Sequence, residues 1–304
     1  MDRFFSFAKI LLMGEYAVLH GADALCLPLK TGQQLFVENA DDGAIRWEWT
    51  YGKESITSVV LDRKSLEVLD STHGSADWPV ALIKQIRLQN PSFLKDKGRS
   101  LQFVNYFPPS WGLGSSSATI SSLCRMAGVN PFTVNKELTG GSGADIACTT
   151  AKDWFLYRNI LPRPATWQLP MGYTFPDHTY FVYSGKKQPT RDHLETIGQN
   201  QPKHYVSWME ANKYVYKFIA CDTIPEMMKV VHDHELLIQD GIGVTAIGTQ
   251  FPDFPGKVKS LGAWGGDFFM AITQQSKDFV FEYFNSKGFA QVFPWDQFVT
   301  SPSF

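Results

Sequence analysis

The sequence lacks three features that would place it in well-defined protein classes. It has no apolar run long enough to span a bilayer. Its net charge of -2 over 304 residues gives no electrostatic attraction to nucleic acid or to an anionic membrane, so we expect neither partner. The four cysteines are scattered and form no CxxC pair, which predicts free thiols in a reducing cytoplasm. They are Cys26, Cys124, Cys148 and Cys221.

The chain does contain enough apolar material for a large core. Apolar residues make up 44% of the 304 residues, which suffices for two domains or one large one. Prolines cluster between Pro162 and Pro176, and we place a domain boundary there, with residues 1–170 before it and 171–304 after it. The segment Met1–Met13 is apolar but includes Lys9 and lacks a small-residue cleavage site. This predicts a strand and not a signal peptide.

Local patterns predict several strands and helices. Leu25–Leu29 and Leu35–Val37 are short apolar runs typical of strands. Ala44–Trp49 alternates between apolar and charged residues and, with Ile56–Leu61, predicts a β-hairpin. Asp77 is placed to cap a helix that has a proline in its first turn.

The most informative stretch is the glycine- and serine-rich segment from Pro108 to Ala118. A predicted strand precedes it, and a helical pattern that includes Ile120 and Leu123 follows it. The first turn of a helix leaves backbone N–H groups without intrahelical partners, and nearby glycines let the backbone approach a ligand closely. This arrangement predicts an anion cradle for a nucleotide phosphate, with serine oxygens available to Mg²⁺. The alternative is a short polar linker, and the spacing fits neither a Walker loop nor a dinucleotide fingerprint.

Two charged residues are ambiguous in the sequence alone. Lys9 interrupts the apolar strand Phe4–Leu12, so its ammonium group either reaches solvent or meets a carboxylate. Asp145 lies in a second small-residue turn, Gly140–Ala147, where an aspartate can simply cap a helix.

Other polar groups have equally open roles. Lys186, Lys187 and Thr190 can meet an anionic substrate or belong to a solvated loop. His232 and His234 lie on different faces of a predicted helix, which makes a shared metal site a poor explanation and favours a solvent-facing or packed role.

Three glycine-rich segments, in their order along the chain, resemble the GHMP kinases, the small-molecule kinases of galactose, homoserine, mevalonate and phosphomevalonate. Ala8–Gly21 looks like the opening motif of the mevalonate-kinase branch, and Pro108–Ala118 matches the phosphate loop Pro-x-x-x-Gly-Leu-Gly-Ser-Ser. The third segment, Gly262–Asp267, resembles the C-terminal glycine loop less closely. In addition to these three, Gly143–Ala147 resembles the aspartate motif of mevalonate and phosphomevalonate kinases.

The resemblance implies an α+β fold with two domains. An N-terminal domain like domain 2 of ribosomal protein S5 would bind ATP, and a ferredoxin-like C-terminal domain would follow. Nucleotide and acceptor would bind between them. The oligomeric state is not fixed by the sequence, and a homodimer stays open.

The resemblance also assigns roles to individual residues. Asp145 would accept or orient the proton of the acceptor hydroxyl, and Lys9 would be its partner. ATP phosphates would be bound by Pro109, Gly112, Leu113, Gly114, Ser115, Ser116 and Ser117. Mg²⁺ would be held by Ser116 and Glu137. The small-molecule acceptor would meet Glu15, Ser142, Gly143, Lys186 and Thr190.

Departures from the family pattern leave alternatives open. Glu137 stands at an unusual spacing from the aspartate motif, and Trp264 replaces a glycine whose backbone would otherwise approach a phosphate. We expect a kinase acting on mevalonate, with phosphomevalonate as the second choice. A catalytically weak nucleotide-binding protein and a decarboxylase of diphosphorylated mevalonate are the alternatives. The adenine pocket is expected near Ile45–Trp78.

Overall fold

The computed structural model describes most of the chain. The described residues are 2–160, 163–169, 172–185, 207–262, 264 and 266–300. The predicted domain boundary between residues 170 and 171 falls outside them, so it stays a prediction.

The elements are as follows. Strands are β1 (Asp2–Met13), β2 (Asp23–Asn39), β3 (Ile45–Tyr51), β4 (Glu54–Leu61), β5 (Val68–His73), β6 (Arg99–Asn105), β7 (Phe155–Arg158), β8 (Ala165–Gln168), β9 (Thr179–Tyr183), β10 (Gly256–Ser260), β11 (Phe268–Thr273) and β12 (Val292–Pro294). Helices are α1 (Asp77–Gln89), α2 (Ser115–Ala127), α3 (Pro131–Thr139), α4 (Ala144–Cys148), α5 (Ala211–Ile219), α6 (Ile224–Ile242), α7 (Lys277–Ser286) and α8 (Trp295–Phe298).

The chain divides into two compact units that do not follow the order of the sequence. The first unit comprises Met1–Ala8, Thr31–Pro109 and Leu113–Thr150. The second comprises Lys9–Lys30, Ser110–Gly112 and Ala151–Phe304. Strands β1 and β2 therefore each contribute residues to both units.

The first unit is built on strands in the order β5-β4-β3-β6-β2. Neighbouring strands are antiparallel except β3 and β6, which run parallel with Trp49 opposite Phe103. Core-facing residues of these strands, such as Trp47 and Leu35, join residues of α1 and α2 in one apolar cluster. The helices are therefore packed against the sheet by burial of apolar surface, the main favourable contribution to folding.

The second unit contains an antiparallel sheet in the order β10-β11-β9-β12. Its core is strongly aromatic, with Phe251, Phe269 and Phe284 packed on one another at ring-centroid distances of 5.2 to 5.5 Å. The first residues of β2, which belong to this unit, pair antiparallel with β7, and β7 pairs with β8.

Most predicted elements are confirmed, with two corrections. The segments Leu25–Leu29 and Leu35–Val37 belong to one long strand, β2. Asp77 begins α1 but does not cap it, because Ala76 is the N-cap and its side chain offers no hydrogen bond. Among the described residues, no helix combines the length and the apolar character needed to cross a membrane.

Candidate active site

The predicted strand–loop–helix arrangement around Pro108–Ala118 is confirmed. Strand β6 ends at Asn105, a 3₁₀ turn covers Pro109–Trp111, and α2 begins at Ser115. Gly112 and Gly114 have φ angles of 66° and 88°, in the left-handed region where glycine is favoured. The two glycines are therefore required by the backbone path of the loop.

The loop leaves the N-terminus of α2 uncapped by side chains. The N-cap residue is Gly114, which has no side chain to accept from the first turn. Across this end, the Ala118 N–H donates to the Gly114 carbonyl at 2.9 Å. The N–H groups of Ser115, Ser116 and Ser117 precede it and belong to the first turn, where the helix dipole favours an anion.

The loop is anchored on both sides of Gly112. Leu113 is 2% exposed, and Trp111 packs against Tyr183, Phe268 and Phe293 at centroid distances of 5.7, 5.6 and 5.3 Å. A Cβ atom placed on Gly112 would collide with the carboxylate of Asp267. Close packing therefore makes glycine necessary here in addition to the positive φ.

Asp145 is the second residue of the short helix α4. Its N-cap, Gly143, has a φ of 86°, and the Ser142 hydroxyl accepts from the Ala144 N–H at 3.3 Å. Asp145 is partly buried and lies one residue inside the helix, so it is not the N-cap. Ser142 and Gly143 thus shape the turn that presents Asp145.

Lys9 lies in β1 between the buried residues Ala8 and Ile10 and is itself partly buried. It belongs to the second unit and Asp145 to the first, and the pairing of the two stays a prediction.

Magnesium ligands predicted from the sequence lie on exposed surface. Ser116 is exposed in the first turn of α2, and Glu137 is exposed on α3. In the part of the chain that the structure describes, no group of three or more His, Cys, Asp or Glu side chains could hold a metal ion. Mg²⁺ usually needs only one or two protein carboxylates beside nucleotide phosphates, and an exposed hydroxyl and carboxylate fit that requirement.

Four charged or titratable side chains form a buried cluster in the second unit. Lys259 forms an ion pair with Glu15, and its Nζ lies 3.8 Å from Glu235 Oε1. His234 Nε2 accepts from the Gly14 N–H at 3.1 Å, while Glu235 Oε2 accepts from the Ser260 N–H at 3.1 Å. None of the four is more than 4% exposed.

Burial controls protonation in this cluster. It raises the pKa of Glu15 against the opposing effect of Lys259, and it raises the pKa of Glu235 to about 7. The pKa of His234 is held well below its usual value by burial and by Lys259. His234 is therefore neutral, in keeping with the N–H bond that its Nε2 accepts.

The cluster joins three segments that are far apart in sequence. It fixes the turn Gly14–Tyr16 after β1 to α6 and to β10. The packed role considered for His234 is confirmed, while His232 is exposed. The predicted contact of Glu15 with an acceptor would compete with its Lys259 partner, and that contact stays a prediction.

Sequence reasoning missed Glu235 and Lys259. A signal was available for Glu235, because it shares the apolar face of α6 with Val231 and Ile238. A carboxylate on such a face needs a buried cation, but the sequence does not say which lysine supplies it.

Trp264 is part of the core. Its side chain is 1% exposed and packs with Tyr16, Ile238 and Ile242, and the backbone N–H of Trp264 donates to the Tyr16 hydroxyl at 2.9 Å. The indole is therefore buried in the core, and the effect of Trp264 on a phosphate at this loop stays a prediction. Lys186, Lys187 and Thr190 lie outside the described residues.

Comparisons with known proteins are informative at the level of structure. The sequence matches no protein-family model, and no curated protein matches it. Mevalonate kinase from Methanococcus jannaschii superposes with a TM-score of 0.71 at 16% identity, covering 99% of this chain and 98% of that one. Mevalonate kinase from L. major, in complex with R-mevalonate, gives 0.68 at 15% identity, covering 100% and 97%.

Phosphomevalonate kinase from Streptococcus pneumoniae, in complex with phosphomevalonate and AMPPNP, gives a TM-score of 0.69 at 15% identity, covering 97% of this chain and 100% of that one. These matches extend over nearly the whole of each chain. The protein therefore has the α+β fold of the GHMP kinases, and the resemblance noted in the motifs is confirmed at the level of fold.

Proposed function

We propose that this protein is an ATP-dependent small-molecule kinase that transfers the γ-phosphoryl group to a mevalonate-like acceptor. The observation that carries the proposal is the phosphate loop, in which two left-handed glycines lead into the uncapped N-terminus of α2. The shared fold adds support, because one similar structure is a complex with AMPPNP, an ATP analogue. Phosphoryl transfer depends mainly on positioning and charge neutralisation, and a set of backbone N–H donors supplies both.

ATP phosphates would lie against the loop from Gly112 to Ser117, with Pro109 at its start. Ser116 and Glu137 would hold Mg²⁺, which neutralises phosphate charge and orients the γ-phosphoryl group when bound. The exposed position of the Ser116 side chain at the helix start supports this assignment.

We place the adenine ring near Trp49, Ser55 and Trp78. Trp49 and Trp78 are stacked at a centroid distance of 6.2 Å. Within the described part of the chain, Trp49 Nε1 and Ser55 Oγ are buried without a hydrogen-bond partner. Buried polar groups normally have partners, and the ring nitrogens of a purine would accept from them.

Asp145 would remove or orient the proton of the acceptor hydroxyl while the oxygen attacks the γ-phosphorus and ADP leaves. The proton would pass to the Asp145 carboxylate, and Lys9 would keep that carboxylate ionised. The turn formed by Ser142 and Gly143, which sets the position of Asp145, supports its assignment. Glu15, Lys186 and Thr190 are proposed as further acceptor contacts.

Mevalonate is the first choice of acceptor, since mevalonate kinases are among the similar structures, one of them in complex with R-mevalonate. Phosphomevalonate is the second choice, supported by the similar phosphomevalonate kinase. A nucleotide-binding protein with weak catalysis is the alternative from another class, and the unusual spacing of Glu137 favours it.

The test is ADP release by the purified protein with ATP, Mg²⁺ and either acceptor. We expect turnover with one acceptor and a loss of about 10²- to 10⁴-fold in Asp145→Asn, which keeps the shape of the side chain and removes the base. Asp96→Asn is the matched control, because Asp96 is exposed in the same unit, and its activity should match that of the unaltered protein.

Full activity in Asp145→Asn would show that Asp145 does not act as the base. ATP binding without turnover on either acceptor would favour the weak nucleotide-binding protein. Absence of both binding and turnover would contradict the proposed function altogether.

A further inference from the structure

A buried polar network in the first unit reaches the first turn of α2 from the sheet. It contains Gln33 of β2, Asn105 of β6 and Thr119 of α2. Gln33 and Thr119 are 0% exposed and Asn105 is 2% exposed. Polar side chains this deeply buried are costly unless they are hydrogen-bonded, so their partners determine what the network does.

Both polar atoms of the Gln33 side-chain amide form hydrogen bonds. Its Nε2 donates to Asn105 Oδ1 at 3.0 Å and lies 3.5 Å from the Ser115 carbonyl oxygen. Its Oε1 accepts from the Thr119 hydroxyl at 2.9 Å. Asn105 in turn donates to the Thr50 carbonyl of β3 at 3.0 Å, which ties the amide pair to the sheet.

The network ends on the backbone of the phosphate loop. The Thr119 hydroxyl lies 3.1 Å from the Ser115 carbonyl, so Ser115 is approached by both Thr119 and Gln33. Ser115 is the first residue of α2, and its N-cap, Gly114, provides no side-chain bond. The first turn is thus held through a carbonyl oxygen, while its N–H groups are left for a ligand.

We infer that Gln33 and Thr119 are positioning residues, which hold the first turn of α2 in the orientation that binds phosphate. The inference rests on the proposed function, because it concerns the same loop. Both side chains are fully buried, so neither is placed to contact a nucleotide directly. Each acts through Ser115, and loss of either should weaken binding of the phosphates and leave binding of the nucleoside unchanged.

The experiment compares ATP with adenosine, which lacks phosphates, by calorimetric titration of the full chain. Thr119→Val keeps the side-chain shape and removes the hydroxyl, whereas Thr119→Ser keeps the hydroxyl. We expect Thr119→Val to raise the Kd for ATP about tenfold, as loss of one buried hydrogen bond would, with the Kd for adenosine changed less than about twofold. Thr119→Ser should bind both ligands like the unaltered protein.

Gln33→Met provides a second variant from the opposite side of the network. Gln34→Met is its matched control, because the neighbouring Gln34 amide donates to the Leu35 carbonyl at 3.3 Å and lies outside the network. Gln33→Met should show the same selective loss of ATP affinity, and Gln34→Met should not.

Equal changes in the Kd for ATP and for adenosine, or no change in either, would overturn the inference and leave the proposed function intact. A Thr119→Ser protein as weak as Thr119→Val would also overturn it. Failure of the unaltered protein to bind ATP would overturn the inference together with the proposed function.

Discussion

Gly112 combines a left-handed backbone with a crowded surrounding, and the two constraints can be separated experimentally. Gly128, at the C-terminus of α2, has the same φ of 66° but nothing within 4 Å of an added Cβ atom. An alanine at Gly128 therefore meets backbone strain alone, of the order of 1 kcal/mol. An alanine at Gly112 meets the same strain and also the Asp267 carboxylate.

We predict that Gly112→Ala lowers ATP affinity by about tenfold or more and that Gly128→Ala leaves it unchanged, measured by titration with ATP. Thermal unfolding should show a larger loss of stability for Gly112→Ala. Replacing Asp267 with glycine in the Gly112→Ala protein should restore part of both losses. Equal behaviour of the two alanine variants would show that the collision with Asp267 has no effect.

At the scale of elements, residues with a local signal were predicted and residues defined by distant partners were not. The hairpin of β3 and β4 was predicted because Ile45 and Trp47 alternate with charged residues, and both are buried. The apolar runs Leu25–Leu29 and Leu35–Val37 predicted two separate strands, yet β2 continues through both. It does so because its first residues pair with β7 and its last with β6, partners that local patterns do not reveal.

The candidate site follows the same division. The strand–loop–helix arrangement around Pro108–Ala118 was predicted, because a strand, two glycines and a helix start are adjacent in sequence. The buried cluster of Glu15, His234, Glu235 and Lys259 was not, since it requires α6 and β10 to meet the turn after β1. Periodic patterns in a sequence indicate helices and strands, but they do not indicate which charged residues pair across distant segments.

Glu235 lies on α6 and accepts a hydrogen bond from Ser260 of β10. Its burial there should make the free energy of unfolding depend on pH. Its pKa in the folded protein is about 7, against 4.5 in a solvated carboxyl, mainly because it is buried. The folded state therefore binds this proton more tightly than the unfolded state does. The associated stability is present below pH 4.5 and is lost as the pH rises through 7.

We predict that Glu235→Gln, which cannot ionise, gains stability relative to the unaltered protein between pH 5 and pH 8, by roughly 3 kcal/mol at most. Urea unfolding at several pH values measures the difference. Glu282→Gln is the control, because Glu282 is exposed on α7, and its difference from the unaltered protein should not change with pH. A flat difference for Glu235→Gln would show that Glu235 is ionised or solvated in the folded protein.

For the whole molecule, the four cysteines report on folding of both units. Cys124 and Cys148 lie in the first unit, and Cys26 and Cys221 in the second. All four are buried thiols outside any disulfide, and burial raises the pKa of the Cys124 thiol to about 12 and that of Cys221 to about 11. Reaction with a disulfide reagent requires an accessible thiolate, so the folded chain should protect its thiols.

We predict that the folded protein at pH 8 reacts with Ellman's reagent hardly at all within minutes, and that four thiols react once it is denatured. Because a thiol buried in a core is exposed by unfolding of that core, labelling at increasing urea should expose Cys124 and Cys148 together, and likewise Cys26 and Cys221. Mass spectrometry of labelled peptides distinguishes the sites. If Cys124 and Cys148 became reactive at clearly different urea concentrations, the first unit would not unfold as one cooperative body.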